Sequence, residues 1–252
     1  SQGISAVTPF ISADARVVAT AVDEIAREFP QMAKELAEEN QVYLATGVVL
    51  DTYQVFSKTP VSSLADLEGQ KIAGAGYNLR YVEGIEGAAG VRGGLPNFFN
   101  MLQTGLVDSA MLWPEAAKTF KIAEVAPYML KADLGAVNSK TVTVNADVWK
   151  KLPDDVKTVL QEVAIEYRDQ VASVAMDRAE ESLQAYKDGG GTVVEMTDEA
   201  RLAFANSMPN IAADWAIALD AKGAPGSEML RAYIAKLEAA GQTPLRDWTE
   251  GL

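Results

Sequence analysis

The sequence predicts an α/β fold in which short apolar strands alternate with helices around one unusually long helix. Three observations carry this expectation. From Ser57 to Pro114 the chain reads as strand, tight turn, helix, helix and strand, the grammar of one α/β lobe. From Pro153 to Lys187 it runs without a Gly or Pro after its first position, long enough for a helix of about 50 Å. The 252 residues, 48% of them hydrophobic, suffice for one large domain or two lobes, and no apolar run nears the ~18 residues of a membrane span.

Taken in order, Ser12 to Asp14 caps a helix from Ala15, whose Val17, Val18, Ala21, Ile25 and Phe29 recur at helical spacing until Pro30 ends the run. Gln31 to Glu39 is a second helix. Gln41 to Leu50 is a strand rich in β-branched residues, and Asp51 to Phe56 carries it onward. Ser63 to Asp66 opens one helical turn that Gly69 closes, and Gln70 to Ala73 is a short strand. Gly74-Ala75-Gly76 makes a tight turn before a helix bearing Leu79 and Val82.

Leu95 to Gly105 is a helix with Phe98, Met101 and Leu102 on one face, followed by a buried strand from Val107 to Leu112 and a helix from Glu115 to Phe120. Val137 to Asn145 alternates like a strand. In the long helix, Val156, Val159, Leu160, Val163, Tyr167, Val171, Val174, Arg178 and Leu183 trace an apolar stripe up to Gly189-Gly190-Gly191. Thr192 to Glu195 is a strand, and Asp198 to Leu219 and Ser227 to Ala240 are amphipathic helices.

Composition narrows the function. Lys plus Arg is 22 against 35 for Asp plus Glu, and a net charge of −13 repels phosphate backbones, so no nucleic-acid partner is expected. There is no cysteine and no histidine, which removes thiol chemistry, His-based triads and His metal sites. No pair of carboxylates has a spacing that singles it out for catalysis. No catalytic residue, metal site or cofactor is implied, and an enzyme is disfavoured. The chain starts at Ser1 without a signal peptide, so any targeting segment is expected to be gone already.

Three blocks carry a family resemblance: Leu64-Ala-Asp-Leu-Glu-Gly-Gln-Lys-Ile72, Met101-Leu-Gln-Thr-Gly-Leu-Val-Asp108, and Asn145 to Asp155. In this order and spacing they resemble the solute-binding proteins of TRAP (tripartite ATP-independent periplasmic) transporters, the C4-dicarboxylate-binding-protein-like family. The resemblance implies a type II-like, two-lobed periplasmic binding protein whose long helix bridges both lobes. Lobe I would comprise residues 1–50 and 137–178, and lobe II residues 51–136 and 179–252. The family's first strand, first helix and second strand have no counterpart here, so the sequence is expected to lack its N-terminal part. A periplasmic monomer is implied, closing on a small organic anion by hinge motion and delivering it to a membrane permease without inserting into the bilayer itself. A sensory ligand-binding domain of a signalling receptor is the alternative.

The resemblance also nominates the residues that touch ligand. Where the family has an arginine gripping a carboxylate, this chain has Ala73, and a second position, often basic or polar in the family, falls on Tyr53. A polar contact position falls near Leu112, with Trp113 beside it. Asn78, Leu95 and Asn138 complete the candidates, core packing or helix capping being their structural rivals. Arg80 is expected to supply the charge that Ala73 cannot, with Arg92 as runner-up; against this, Arg80 pairs equally well with Glu83 on its own helix. The altered clamp leans the ligand to a monocarboxylate with an aromatic or otherwise apolar body, a neutral or cationic ligand held by aromatic faces being the other option.

Overall fold

A computed structural model describes all 252 residues. Helix α1 (Ala15–Glu28) is capped by the Asp14 side chain, which accepts from the Arg16 amide, and α2 (Gln31–Glu38) follows Pro30. The segment expected to be one strand running on to Phe56 is three: β1 (Gln41–Thr46), β2 (Val49–Leu50) and β3 (Gln54–Ser57), each in a different sheet. Then come a capped 3₁₀ turn (Leu64–Leu67), β4 (Lys71–Gly74), a 3₁₀ segment (Gly76–Gly84) in place of the expected α-helix, and β5 (Ala89–Arg92), a strand the sequence did not announce. Next are α3 (Leu95–Gln103), β6 (Ser109–Leu112), α4 (Pro114–Thr119), β7 (Tyr128–Lys131), β8 (Val137–Asn138), β9 (Thr141–Asn145) and α5 (Ala146–Lys151). The long helix, α6, is continuous from Asp154 to Asp188. β10 (Thr192–Glu195), α7 (Asp198–Ser207), α8 (Ile211–Asp220) and α9 (Gly226–Ala239) finish the chain; Pro209 divides what reads as one helix into α7 and α8.

Six strands form one mixed sheet in the order β10-β7-β3-β6-β4-β5, with β3 antiparallel to both its neighbours and β4 parallel to β5 and β6. Side chains alternate across it, as strand geometry requires. Val55, Ile72, Met111 and Leu130 join the main core with α1, α8 and α9, while Phe56, Ala73, Ala110, Leu112 and Met129 face a second cluster under α3 and α4. A smaller antiparallel pair, β1 with β9, lies beside α1 and α2. Two of the chain's crossings between these regions, β2 and β8, are hydrogen-bonded to each other, with Val49 opposite Asn138 and Leu50 opposite Val137.

Helix α6 packs on α1, β1 and β2 along one part of its length and on α4 along another. Near its C-terminus the Tyr186 ring meets Phe56 edge-on, and its hydroxyl donates to the Ala126 carbonyl at 2.8 Å. The buried stripe differs from the expected one. Ala164, Ala172, Ser182 and Tyr186 are buried, whereas Val156, Val159, Val163, Tyr167 and Val174 are exposed. The helix presents its small residues where β1 and α1 approach closely, and nothing in the fold covers the valine face.

Candidate functional site

A cavity of ≈ 310 Å³ lies where the two crossings meet the carboxyl ends of β4 and β6. Open α/β sheets place ligands at such strand ends, and the volume suits a small organic molecule. One wall comes from the crossings and the N-terminal turn: Gly3, Ala6, Leu50, Val137, Asn138 and Ser139. The other comes from the six-stranded sheet and the loops after its strands, with Tyr53, Tyr77, Asn78, Phe98, Met111 and Trp113 as its largest side chains.

Each side chain reaches the cavity for a local reason. Tyr53 precedes β3 and Trp113 follows β6, so the antiparallel register that pairs Gln54 with Leu112 brings their rings together. The centroids are 5.4 Å apart, with planes inclined by 54°. Gly76, at φ +58°, turns the backbone sharply out of β4 into the 3₁₀ segment, which brings Tyr77 and Asn78 to the rim. Asn78 is 4% exposed and caps no helix; its side-chain amide lies near the Tyr53 hydroxyl instead. Burial pushes that hydroxyl up to about 12, so Tyr53 stays a neutral phenol. Asn138 is fixed by its own N–H, which donates to the Ser5 hydroxyl at 2.8 Å, while its side-chain Oδ1 is buried without a partner.

Of the eight residues nominated from sequence, Tyr53, Asn78, Leu95, Trp113 and Asn138 line this cavity. Ala73 and Leu112 do not. Both are fully buried against α3 and α4, because strand alternation turns them to that face, and Met111 is the β6 residue that reaches the cavity. Arg80 does not line this cavity either. Its guanidinium pairs with Glu83 at 3.2 Å and Asp214 at 2.9 Å, on the rim of a separate open hollow of ≈ 640 Å³ that also holds Glu35 and Lys222. Arg92 is exposed on the edge strand β5 and is not a lining residue either.

Sequence reasoning missed Tyr77, Phe98 as a wall residue, Met111 and Ser139. It also missed Asp51, which sits behind Tyr53 at the first crossing, 3% exposed, with Oδ2 unpartnered. Burial, and next the nearby Glu115 carboxylate, push Asp51 from an ordinary 3.8 up to about 8. No group of acidic side chains is clustered in a way that would hold a metal ion.

A two-lobed α/β frame with a cavity at paired crossings is the architecture of the type II-like periplasmic binding proteins. The chain belongs to one family within it: a family model described as bacterial extracellular solute-binding protein, family 7 (DctP), matches residues 3–217. The C4-dicarboxylate-binding periplasmic protein DctP of Rhodobacter capsulatus is 36% identical over 107 residues, an alignment covering 42% of this chain and 32% of that protein. The aligned part is therefore about a third of that relative's length. Among solved structures, a TRAP solute-binding protein of Rhodoferax ferrireducens in complex with benzoate superposes with a TM-score of 0.79 at 19% identity, covering 95% of this chain and 76% of the other. DctP7 of Bordetella pertussis, described as binding pyroglutamic acid, gives 0.76 at 18% identity over 92% and 78%. These two likenesses establish the shared fold.

Proposed function

We propose that this chain is the solute receptor of a TRAP transporter, working outside the cytoplasm. It captures a small organic solute between lobe I (residues 1–50 and 137–178) and lobe II (residues 51–136 and 179–252) and hands it to a membrane permease. The observation that supports this most directly is the cavity itself, walled on one side by the hydrogen-bonded crossings and on the other by the sheet. Two short paired strands are a natural hinge, because rotating a few residues there opens the cavity without disturbing either core.

The solute's body is apolar and flat. Tyr53, Tyr77, Phe98 and Trp113 supply aromatic surface, and Tyr and Trp suit such a half-wet wall. The benzoate and pyroglutamate described for the structural neighbours are small ring acids, which agrees with a solute of that size. Their carboxylate is the feature this cavity does not answer, since none of its lining side chains is charged.

Thermal unfolding against a panel of small organic solutes, charged and uncharged, tests the proposal. A cognate solute at 100 times its dissociation constant adds about 2.7 kcal/mol of stability. That gain should fall by about half or more in Trp113→Ala. Undiminished stabilisation in this variant places the solute elsewhere, and a panel without any hit in the parent counts against a receptor role.

A further inference from the structure

Resting on the receptor reading above, we infer that the cleft selects an uncharged, planar solute carrying a carboxamide-like group, in preference to the corresponding organic anion. The lining contains no Asp, Glu, Lys or Arg. The positions where the resemblance implies basic or clamp residues hold Tyr53 and the inward-packed Ala73. Arg80 is engaged by Glu83 and Asp214, and Arg178 by Glu115 at 3.1 Å. A carboxylate entering this cavity would be desolvated with no side-chain cation to meet it, which is among the costliest events in a protein interior.

The field behind the wall points the same way. Asp51 lies buried next to Tyr53, and Glu115 lies close enough to influence it. An anion in the cavity would gain no counter-charge from that side and would bind a chain of net charge −13. A cation gains little in return, because Asp51 is not among the lining residues and its carboxyl resists ionisation.

What the cavity does offer is a matched set of neutral partners. The Asn138 Oδ1 is a buried acceptor without a donor, and a buried polar atom left unpaired is a standing cost that a ligand N–H removes. On the opposite wall the Asn78 amide and the Tyr53 hydroxyl form a polar pair that can meet a carbonyl oxygen. A primary carboxamide carries one donor group and one acceptor on a planar frame, the same outline as a carboxylate without its charge. The aromatic walls take the ring attached to it.

The isosteric trio benzamide, benzoate and benzamidine tests this directly, with phenylacetamide and phenylacetate as a second pair. Isothermal titration of the full chain should show benzamide binding at least about tenfold tighter than benzoate or benzamidine, as expected where a site's hydrogen bonds match one analogue only. Asn138→Ala should weaken benzamide about tenfold while leaving the unliganded melting temperature in place, and Arg92→Ala should change nothing. Benzoate binding as tightly as benzamide overturns the inference while the receptor reading stands; loss of that benzoate binding in Arg92→Ala would identify the missing cation. Tighter benzamidine overturns it in favour of a cationic solute. If no member of either series binds, the inference fails outright, and the wider panel decides the receptor role separately.

Discussion

Tyr53 and Trp113 meet at 5.4 Å between ring centroids because β3 and β6 are antiparallel neighbours and each ring lies one residue beyond the Gln54–Leu112 pair. The contact is thus fixed by strand register rather than by loop conformation. Tyr53 is buried, whereas Trp113 is half-buried and turns its free face to the cavity. Such a pair contributes about 0.5–1.5 kcal/mol beyond its buried area. Trp113→Ala should therefore cost about 1–2 kcal/mol of stability and weaken solute binding about tenfold or more. It should also abolish most of the solute-induced change in tryptophan fluorescence, since Trp149, Trp215 and Trp248 lie outside the cavity lining.

Arg80→Ala is expected to leave solute binding unchanged. The guanidinium is anchored to Glu83 and Asp214 away from the cleft, and its side chain is 34% exposed. Exposed ion pairs contribute about 0–1 kcal/mol each, so the loss of stability should stay within about 1 kcal/mol. Titration of parent and variant with one solute checks this. A fall in affinity of about tenfold or more would return Arg80 to the site.

Tyr53, Trp113 and Arg80 show how far the site is legible in the sequence. Aligned motifs point to Tyr53 and Trp113 as cleft walls, because motifs fix which segments come together. Arg80 stands out in the sequence by its charge, and charge alone does not say which acidic partner lies nearer; Asp214 arrives from α8, 134 residues away. Strand parity settled Ala73 and Leu112, because shifting by one residue moves a side chain to the other face of the sheet. The long helix was legible because its composition has no breaker over 34 positions after Pro153. Its buried face was not, because the alanines that pack against β1 and α1 give a weaker apolar signal than the valines left exposed. Strand β5 was hidden by glycines, Ala89-Gly90-Val91-Arg92 having little strand propensity; its parallel register with β4 is a tertiary effect.

Asp23 ties α1 and β1 to the long helix. Its carboxylate accepts from Arg27 at 2.7 Å, Arg168 of α6 at 3.0 Å, the Tyr43 hydroxyl at 2.6 Å and the Thr46 amide at 3.0 Å. Burial pushes its pKa up, but the hydrogen bonds from Arg27, Tyr43 and Thr46 outweigh that and hold it below the usual range. Asp23→Ala strands the nearly buried Arg168 and should cost about 3–5 kcal/mol in chemical denaturation. A depressed folded-state pKa contributes stability above the unfolded value, so the parent should lose this contribution as pH falls below about 4. The Asp23→Ala variant should show a smaller loss over that range; an equal loss would show that Asp23 does not carry the acid sensitivity.

Asp51 gives the opposite sign over a higher window. Its carboxyl is 3% exposed at the first crossing, Oδ2 has no partner, and burial with Glu115 nearby raises its pKa to about 8. In the unfolded chain the group ionises near the ordinary 3.8. Between these values the folded state binds a proton that the unfolded state has released, so stability contributed by the neutral acid is complete below about 4 and is lost as pH rises toward 8. Asp51→Asn keeps the shape and cannot ionise. Relative to the parent, it should therefore gain stability progressively from pH 5 to pH 8, reaching about 1–3 kcal/mol at the upper end by the ~1.4 kcal/mol per pKa unit relation discounted for relaxation. Glu115→Gln removes the second cause of the shift and should flatten the parent's slope by a smaller amount. Denaturation midpoints of the three proteins at pH 5, 6, 7 and 8 decide the matter. An Asp51→Asn difference that stays constant across this range would show that the Asp51 carboxyl is already ionised in the folded protein, with a water or a backbone donor at Oδ2.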